Sequence, residues 1–394
     1  MQMNIEWKIP MNSFKVPRIR FKGFDVVWVE NRIADIVKIS AGGDVDKIKL
    51  KETGQYPVVA NSLTNRGIVG FYDDYKVKAP AVTVTGRGDV GYAVARHENF
   101  TPIVRLLTLQ SENIDVDYLE NQINSMRILN ESTGVPQLTA PQLGNYKVYH
   151  PEINEQTAIG SLFRNLDDLL ASYKDNLANY QSLKATMLAK MFPKAGQTIP
   201  EMRLDRFEGE WEIKKFKSIS TKRGKSNSKG YDYPAYSVSN QSGLIPQSEQ
   251  FEGSRLENLE KTSYKIVEPN EFAYNPARIN VGSIAFNDLD ETVIVSSLYV
   301  IFSLDKSINN NYALLFIKSP EFNKEVRRNT EGSVREYLFY ENFANIRIPI
   351  PPSLEEQQAI GAYFSNLDNL INSYQEKISQ LETLKNKLLQ DMFI

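Results

Sequence analysis

The chain has 394 residues, no cysteine, two histidines and a formal net charge of −2. The missing cysteines exclude disulfides, thiolate metal sites and cysteine nucleophiles, and His97 and His150 alone leave little material for a zinc site or a serine triad. With 41% hydrophobic and 24% charged residues the composition is that of an ordinary globular protein, and a nearly neutral charge means that any nucleic-acid contact must rest on local patches.

The length allows two or three domains with real cores. No apolar run approaches the roughly 18 residues a membrane span needs, and no charged region followed by an apolar stretch opens the chain. The expectation is a cytoplasmic protein with no membrane association. Without an export signal, the triplets beginning at Asn99 and Asn130 carry no weight as glycosylation sites.

Pro17, Arg20, Phe24 and Trp28 open a frame that returns 183 residues later as Pro200, Arg203, Phe207 and Trp211. In the first half, residues 81–85, 94–96 and 103–107 read as strands between Gly, Asn and Asp turns, and 116–128 reads as a helix. In the second half, residues 292–295 and 298–302 read as strands and 313–328 as a helix. Weak echoes join the halves: Tyr56-Pro57 with Tyr233-Pro234, Arg87-x-x-Val90-Gly91 with Arg278-x-x-Val281-Gly282, and Leu143-x-Asn145-x-Lys147 with Phe343-x-Asn345-x-Arg347. Each half therefore reads as α+β, with a shared frame and divergent surfaces.

Each half ends in the same long segment. Residues 156–192 align without a gap on 357–393, with 16 of 37 positions identical. The offset there is 201, so the middle of the second copy carries 18 more residues net than that of the first. A period of about half the chain is that of a duplicated module. The apolar seam runs Ile159, Phe163, Leu166, Leu170, Tyr173, Leu177, Tyr180, Lys184, Met187, Met191, and its copy runs Ile360, Phe364, Leu367, Ile371, Tyr374, Ile378, Leu381, Lys385, Leu388, Met392. Spacing of 4 and 3 over about five heptads predicts a coiled coil, with one lysine interrupting each seam. Ser353 and Glu356 form an S-x-x-E start signal after Pro351-Pro352, while the first copy has Glu152 in the cap place after Pro151. Pairing the copies antiparallel about a pseudo-twofold axis buries both seams and predicts a dumbbell of fixed span; the alternative is that each helix packs on its own domain.

Motifs for chemistry fail on their flanks. Residues 86–91 fit G-x-G-x-x-G, but the strand-like Tyr92-Ala-Val-Ala follows where a phosphate site needs a helix N-terminus. Gly224-Lys225-Ser226 lacks the leading glycine of a P-loop, since position 219 is Ile219. Asn275-Pro276-Ala277 lacks the second proline and the aromatic of an adenine methyltransferase motif. No enzyme activity and no cofactor of its own is expected.

Nucleic-acid chemistry is better represented. Lys214, Lys215, Lys217, Lys222, Arg223, Lys225 and Lys229 concentrate positive charge in what reads as a flexible loop suited to phosphate. Arg87 and Arg278 sit at matching places on turns leaving a strand, and arginine suits bidentate contact with guanine or phosphate. Asn61, Asn65 and Arg66 in the first half, and Asn240 and Gln241 in the second, add groups able to read bases. Polar turns around Gly134 and around Gly332, the latter with Arg335, form a further pair. The candidate DNA-binding set is Asn61, Asn65, Arg66, Arg87, Arg223, Lys225, Asn240, Gln241, Arg278 and Arg335; catalytic and metal residues are not expected.

The whole pattern resembles the specificity (S) subunit of type I restriction-modification systems. The most specific marks are Pro151-x-x-x-Glu155-Gln156-x-x-Ile159 and Pro352-x-x-x-Glu356-Gln357-x-x-Ile360, each followed by Asn-Leu-Asp. The resemblance implies a target-recognition domain over 1–150, a helical spacer over 151–196, a second recognition domain over 197–350 and a second spacer over 351–394. It further implies a split double-stranded DNA target, and partners in two methyltransferase (M) subunits and restriction (R) subunits that supply the chemistry. A competing reading is a two-headed coiled-coil scaffold for protein or glycan ligands; a third, an enzyme with its own site, is disfavoured by the failed motifs.

Overall fold

A computed structural model describes residues 16–126, 128, 137–240, 243–250, 261–329 and 337–393. The strands that matter most are β1 (Lys38–Ala41), β2 (Ala81–Val84), β3 (Ala93–Arg96), β4 (Leu107–Gln110), β5 (Ser220–Arg223), β6 (Phe272–Tyr274), β7 (Ile284–Phe286) and β8 (Val300–Leu304). The helices are α1 (Val116–Ser125), α2 (Ile153–Lys190), α3 (Asn310–Ile317), α4 (Pro320–Asn329) and α5 (Leu354–Asp391). The chain divides into two compact units: Met1–Asp175 with Tyr374–Ile394, and Asn176–Ser373. Each unit therefore takes part of both long helices.

The units share a sheet plan. In unit 1 the antiparallel order is β1-β4-β2-β3, and in unit 2 it is β5-β8-β6-β7. Around these lie a three-stranded sheet in unit 1 (Tyr56–Val59, Ile68–Tyr72, Thr101–Pro102) and a hairpin in unit 2 (Tyr236–Ser239, Gly243–Pro246). Unit 2 also pairs Lys265–Val267 with Val293–Val295. Between the four-stranded sheet of unit 1 and α1 the core is aliphatic, with Val82, Val84, Leu107 and Leu109 against Leu119 and Ile123. The corresponding cluster of unit 2 is built largely on rings, and Phe272 stacks on Phe302 at 4.9 Å.

Two sequence expectations need correction. Residues 103–106 turn rather than run as a strand, because Val104 and Arg105 adopt φ of 53° and 57°, and β4 starts only at Leu107. The helix expected over 313–328 is broken into α3 and α4. Pro320 has no amide to continue the ladder, and the Ser319 hydroxyl instead accepts the Phe322 amide at 3.2 Å, capping the new helix.

The Glu-Gln motif anchors each long helix to its domain. Glu155, with a side chain 2% exposed, receives the Arg20 guanidinium through two bonds of 2.6 and 2.7 Å; Glu356 receives Arg203 at 2.7 and 2.8 Å. Gln156 Oε1 accepts the Asp115 amide at 3.0 Å while its Nε2 donates to the Pro151 carbonyl. Gln357 does the same with the Asn309 amide and the Ser307 carbonyl. Asp115 and Asn309 in turn cap α1 and α3 by accepting from the Tyr118 and Tyr312 amides. One glutamine thus ties the start of a long helix to the start of the helix that follows the sheet. Ser353 accepts the Glu356 amide at 3.1 Å, as its start signal requires.

Within each unit the long helices run antiparallel. In unit 1, Tyr173 meets Tyr374 at 5.4 Å, Lys174 pairs with Glu382 at 2.7 Å, and Asp167 accepts from Lys385 at 2.5 Å. In unit 2, Lys184 pairs with Asp368. The last turn of each helix closes the unit. Phe393, just past α5, packs on Tyr118 and Phe163 of unit 1, and Phe192, just past α2, packs on Trp211, Tyr312 and Phe316 of unit 2. The Ile19 amide donates to the Asp391 carbonyl at 2.9 Å, and the equivalent Met202 amide donates to Lys190 at 3.0 Å.

Candidate nucleic-acid interface

The strand directions bring several candidate segments to one end of each sheet. In unit 1 that end holds the exit of β1 (Gly42-Gly43), the exit of β2 (Gly86-Arg87) and the entry to β4 (Val104-Arg105). In unit 2 it holds Gly224-Lys225, the β6–β7 connection with Arg278, and the entry to β8 with Leu298, 75% exposed. Arg87 and Arg278 lie in the corresponding connection of the two sheets, half-buried and exposed respectively.

The unit 1 candidates divide by what already holds them. Asn61 is occupied on both sides: its amide donates to the Val104 carbonyl at 2.7 Å, and its oxygen accepts the Gly86 amide at 2.7 Å. Asn65 and Arg66 form a left-handed pair with φ of 47° and 50°, in the turn Thr64–Gly67. Asn65 reaches the Ile68 carbonyl at 3.4 Å, and Arg66 donates to the Ala95 carbonyl at 3.0 Å. Arg96, behind them, donates to the Arg66 carbonyl at 2.6 Å and to Thr83 at 3.0 Å. Burial, helped by Arg66, lowers Arg96 to about 10. Glu120 on α1 faces this cluster and is pushed up to about 7 by burial; Asp167 adds to the rise, while Arg66, the Ala95 amide and Lys385 oppose it. Arg87 and Arg105 make no ion pair or side-chain hydrogen bond among the described residues.

In unit 2, Arg223 donates to Ser303 at 3.1 Å and lies 3.6 Å from Glu271. Lys225 is exposed, its carbonyl accepting the Ile266 amide. The basic segment is not the flexible loop its composition suggests: Lys214 and Lys215 lie in the strand Glu212–Lys215, Lys222 and Arg223 lie in β5, and the loop that follows is itself held. Buried Asn227 bonds Tyr231 at both backbone groups, and its own amide reaches the Tyr264 carbonyl. Part of the segment's charge is also compensated, Lys214 by Glu212 and Lys222 by Glu341. Asn240 is exposed at the hairpin turn and borders Gly282, where a methyl group would stand 3.9 Å from the Asn240 Cβ. Gln241 and Arg335, with the turns around Gly134 and Gly332, lie outside the described residues.

Sequence reasoning missed Arg105, hidden in the false strand, and a cleft of about 470 Å³ in unit 2. Asn280 and Val281 of the β6–β7 connection line that cleft with Asn323 and Arg327 of α4. Asn323 and Arg327 are one helical turn apart, and the Asn323 Oδ1 accepts no bond from a described protein group. Among the described residues no His, Cys, Asp or Glu cluster could hold a metal ion, and no helix is long and apolar enough to cross a membrane.

Two α+β units on one sheet plan, carrying different polar loops at the same sheet end and closed by repeated long helices, define a protein built from a duplicated module. The type I restriction modification DNA specificity domain matches residues 26–179 and again 208–383, and the chain belongs to that family. It is 23% identical over 278 residues to the type I restriction enzyme MjaVIII specificity subunit of Methanocaldococcus jannaschii, covering 66% of this chain and 64% of that one, just under two thirds of its length. It is 18% identical over 399 residues, 96% of each chain, to a putative type I specificity subunit of Mycoplasma genitalium. The crystal structure of a type I restriction-modification S subunit from M. genitalium shares the fold, with a TM-score of 0.66 at 15% identity, over 96% of this chain and 99% of that one.

Proposed function

We propose that this chain reads a split DNA target, one half-site per unit, and directs partner methyltransferase and restriction subunits to it without catalysing either reaction. The observation that carries this reading is the combination of one repeated sheet plan and anchor with dissimilar chemistry at the sheet end. Unit 1 presents Arg87 and Arg105 there, whereas unit 2 presents Lys225, Leu298 and Arg278. Equal frames with unequal loops suit two unlike half-sites, since arginine, lysine and asparagine supply both phosphate contacts and base-edge readout. The length of the repeated helices would set the gap between half-sites, and base flipping for methylation would fall to the partner.

A single-molecule methylation map of host DNA, with the gene intact and deleted, tests this. Loss of one split, asymmetric methylated motif on deletion is the expected result. A map unchanged by deletion, together with salt-independent binding of the purified chain to DNA, would favour a protein or glycan scaffold instead.

A further inference from the structure

Val104 is a β-branched residue in the left-handed region, a conformation such side chains avoid, and Arg105 follows it there. Strain of this kind persists where the surroundings over-determine it, and it collects at functional sites. Here the turn is clamped from three directions. The Val104 amide donates to Gly43 at 2.7 Å, the Arg105 amide donates to Gly42 at 3.0 Å, and the Val104 carbonyl accepts from Asn61 at 2.7 Å. Gly42 is required for this approach, because a Cβ there would lie 2.7 Å from the Ile103 nitrogen. The other side of Asn61 holds the Gly86 amide, so one side chain fixes both the turn that carries Arg105 and the turn that carries Arg87. Those two arginines have no ion pair or side-chain hydrogen bond among the described residues, although Glu98 and Asp89 lie in the same unit.

Resting on the DNA-recognition reading above, we propose that Arg87 and Arg105 read guanine edges in the half-site of unit 1, and that Asn61 is the positioning residue that holds both arms. Arginine offers two parallel donors that match guanine O6 and N7, so this half-site contains G·C pairs at the positions the two arms reach. Asn61 itself touches no base, since both of its polar ends are spent on the backbone. The strained turn serves to aim Arg105; glycine, which adopts that φ freely, can hold the same shape without the clamp.

The test is the methylation map of cells carrying Arg105→Ala, Arg87→Ala, Asn61→Ala or Asn61→Ala with Val104→Gly in place of the wild-type chain. Each arginine variant is expected to relax one G·C position of a single half-site by about 5- to 150-fold in discrimination, leaving the other half-site unchanged. Asn61→Ala relaxes both of those positions, and adding Val104→Gly restores the Arg105 position alone. Uniform weakening across all sequences would make the arginines phosphate contacts and overturn the proposal, as would relaxation in the other half-site, a half-site without G·C pairs, or no rescue by Val104→Gly. Arg105 is exposed and Arg87 half-buried, and neither side chain holds a partner among the described residues, so their variants decide the question even if Asn61→Ala fails to fold. A wild-type chain that supports no split motif would overturn the recognition reading itself, an outcome separate from all of these.

Discussion

Lys385 of α5 donates to Asp167 of α2 at 2.5 Å in unit 1, and their repeat equivalents, Lys184 and Asp368, form the same ion pair in unit 2. The lysine that interrupts each heptad seam therefore meets the aspartate of the Asn-Leu-Asp that follows each Glu-Gln motif. A lone cation in a seam selects one register, since sliding the helices by a heptad would strand it against apolar side chains. Both pairs are partly exposed, so each contributes only about 0.3–1 kcal/mol directly.

Reversing the charge at Lys385 to aspartate should therefore cost more than removing it. Lys385→Ala is expected to lower stability by less than about 1 kcal/mol, whereas Lys385→Asp opposes Asp167 and should cost about 1–2 kcal/mol. The exchange Asp167→Lys with Lys385→Asp should recover most of the loss. Thermal unfolding of the four proteins checks this, and a charge reversal no worse than alanine would remove the pair from the account of register.

The Arg20–Glu155 and Arg203–Glu356 pairs are of a different kind, because the glutamates are almost fully buried. Arg20→Ala leaves an unpaired carboxylate inside unit 1 and should destabilise it by about 3–5 kcal/mol. Arg203→Ala should do the same to unit 2. Hydrogen exchange localises the damage: amides of α1 should open in the first variant and amides of α3 in the second.

Repeat-equivalent glycines should answer differently to alanine. A methyl at Gly160 would lie 2.5 Å from the Asp115 Oδ1 and 2.8 Å from the Tyr118 nitrogen, whereas at Gly361 its nearest neighbour is Asn311 Cβ at 3.1 Å. Gly160→Ala should cost about 1–3 kcal/mol by overpacking. Gly361→Ala asks the start of α3 to give by only a few tenths of an ångström and gains up to about 1 kcal/mol of helix propensity, so it should be close to neutral. Chemical denaturation of the two variants reads the difference directly.

Glu120 supplies a pH dependence. Burial raises its carboxyl from 4.5 to about 7, so between those values the folded state binds the proton more tightly than the unfolded chain. Its stabilising contribution is complete below about pH 4.5 and is lost as pH rises through about 7. Glu120→Gln should thus raise the melting temperature at pH 8, by on the order of 2 kcal/mol of stability, and change little at pH 4.5. Equal effects at both pH values would mean that the carboxyl ionises freely in the fold.

Much of the frame could be read from the residues because it is built from periodic or duplicated signals. The heptads, the Ser353 start and the equal offsets of Arg20 with Arg203 and of Glu155 with Glu356 all reappear as contacts. The ion pairing of each seam lysine is visible only across two helices, so no local pattern announces it. Residues 103–107 misled because Ile, Val and Leu favour strands, while the clamps that force Val104 left-handed come from Asn61, Gly42 and Gly43, some 40 to 60 positions away. Pro320 was a readable break within the second half's helix. The site was least legible: Asn61 has the composition of a base reader but spends it on the backbone, and Arg105 and Arg327 are recognisable only once the turns and helix that carry them are placed.

The exchange of helix ends separates two kinds of inheritance. Because Phe393 closes the unit that holds Tyr118, and Phe192 closes the one that holds Tyr312, neither repeat can be deleted without unmaking the other's core. The loops at the sheet ends share no such debt. Evolution is therefore bound to keep both copies as folding partners, yet free to rewrite the loops of either one in isolation.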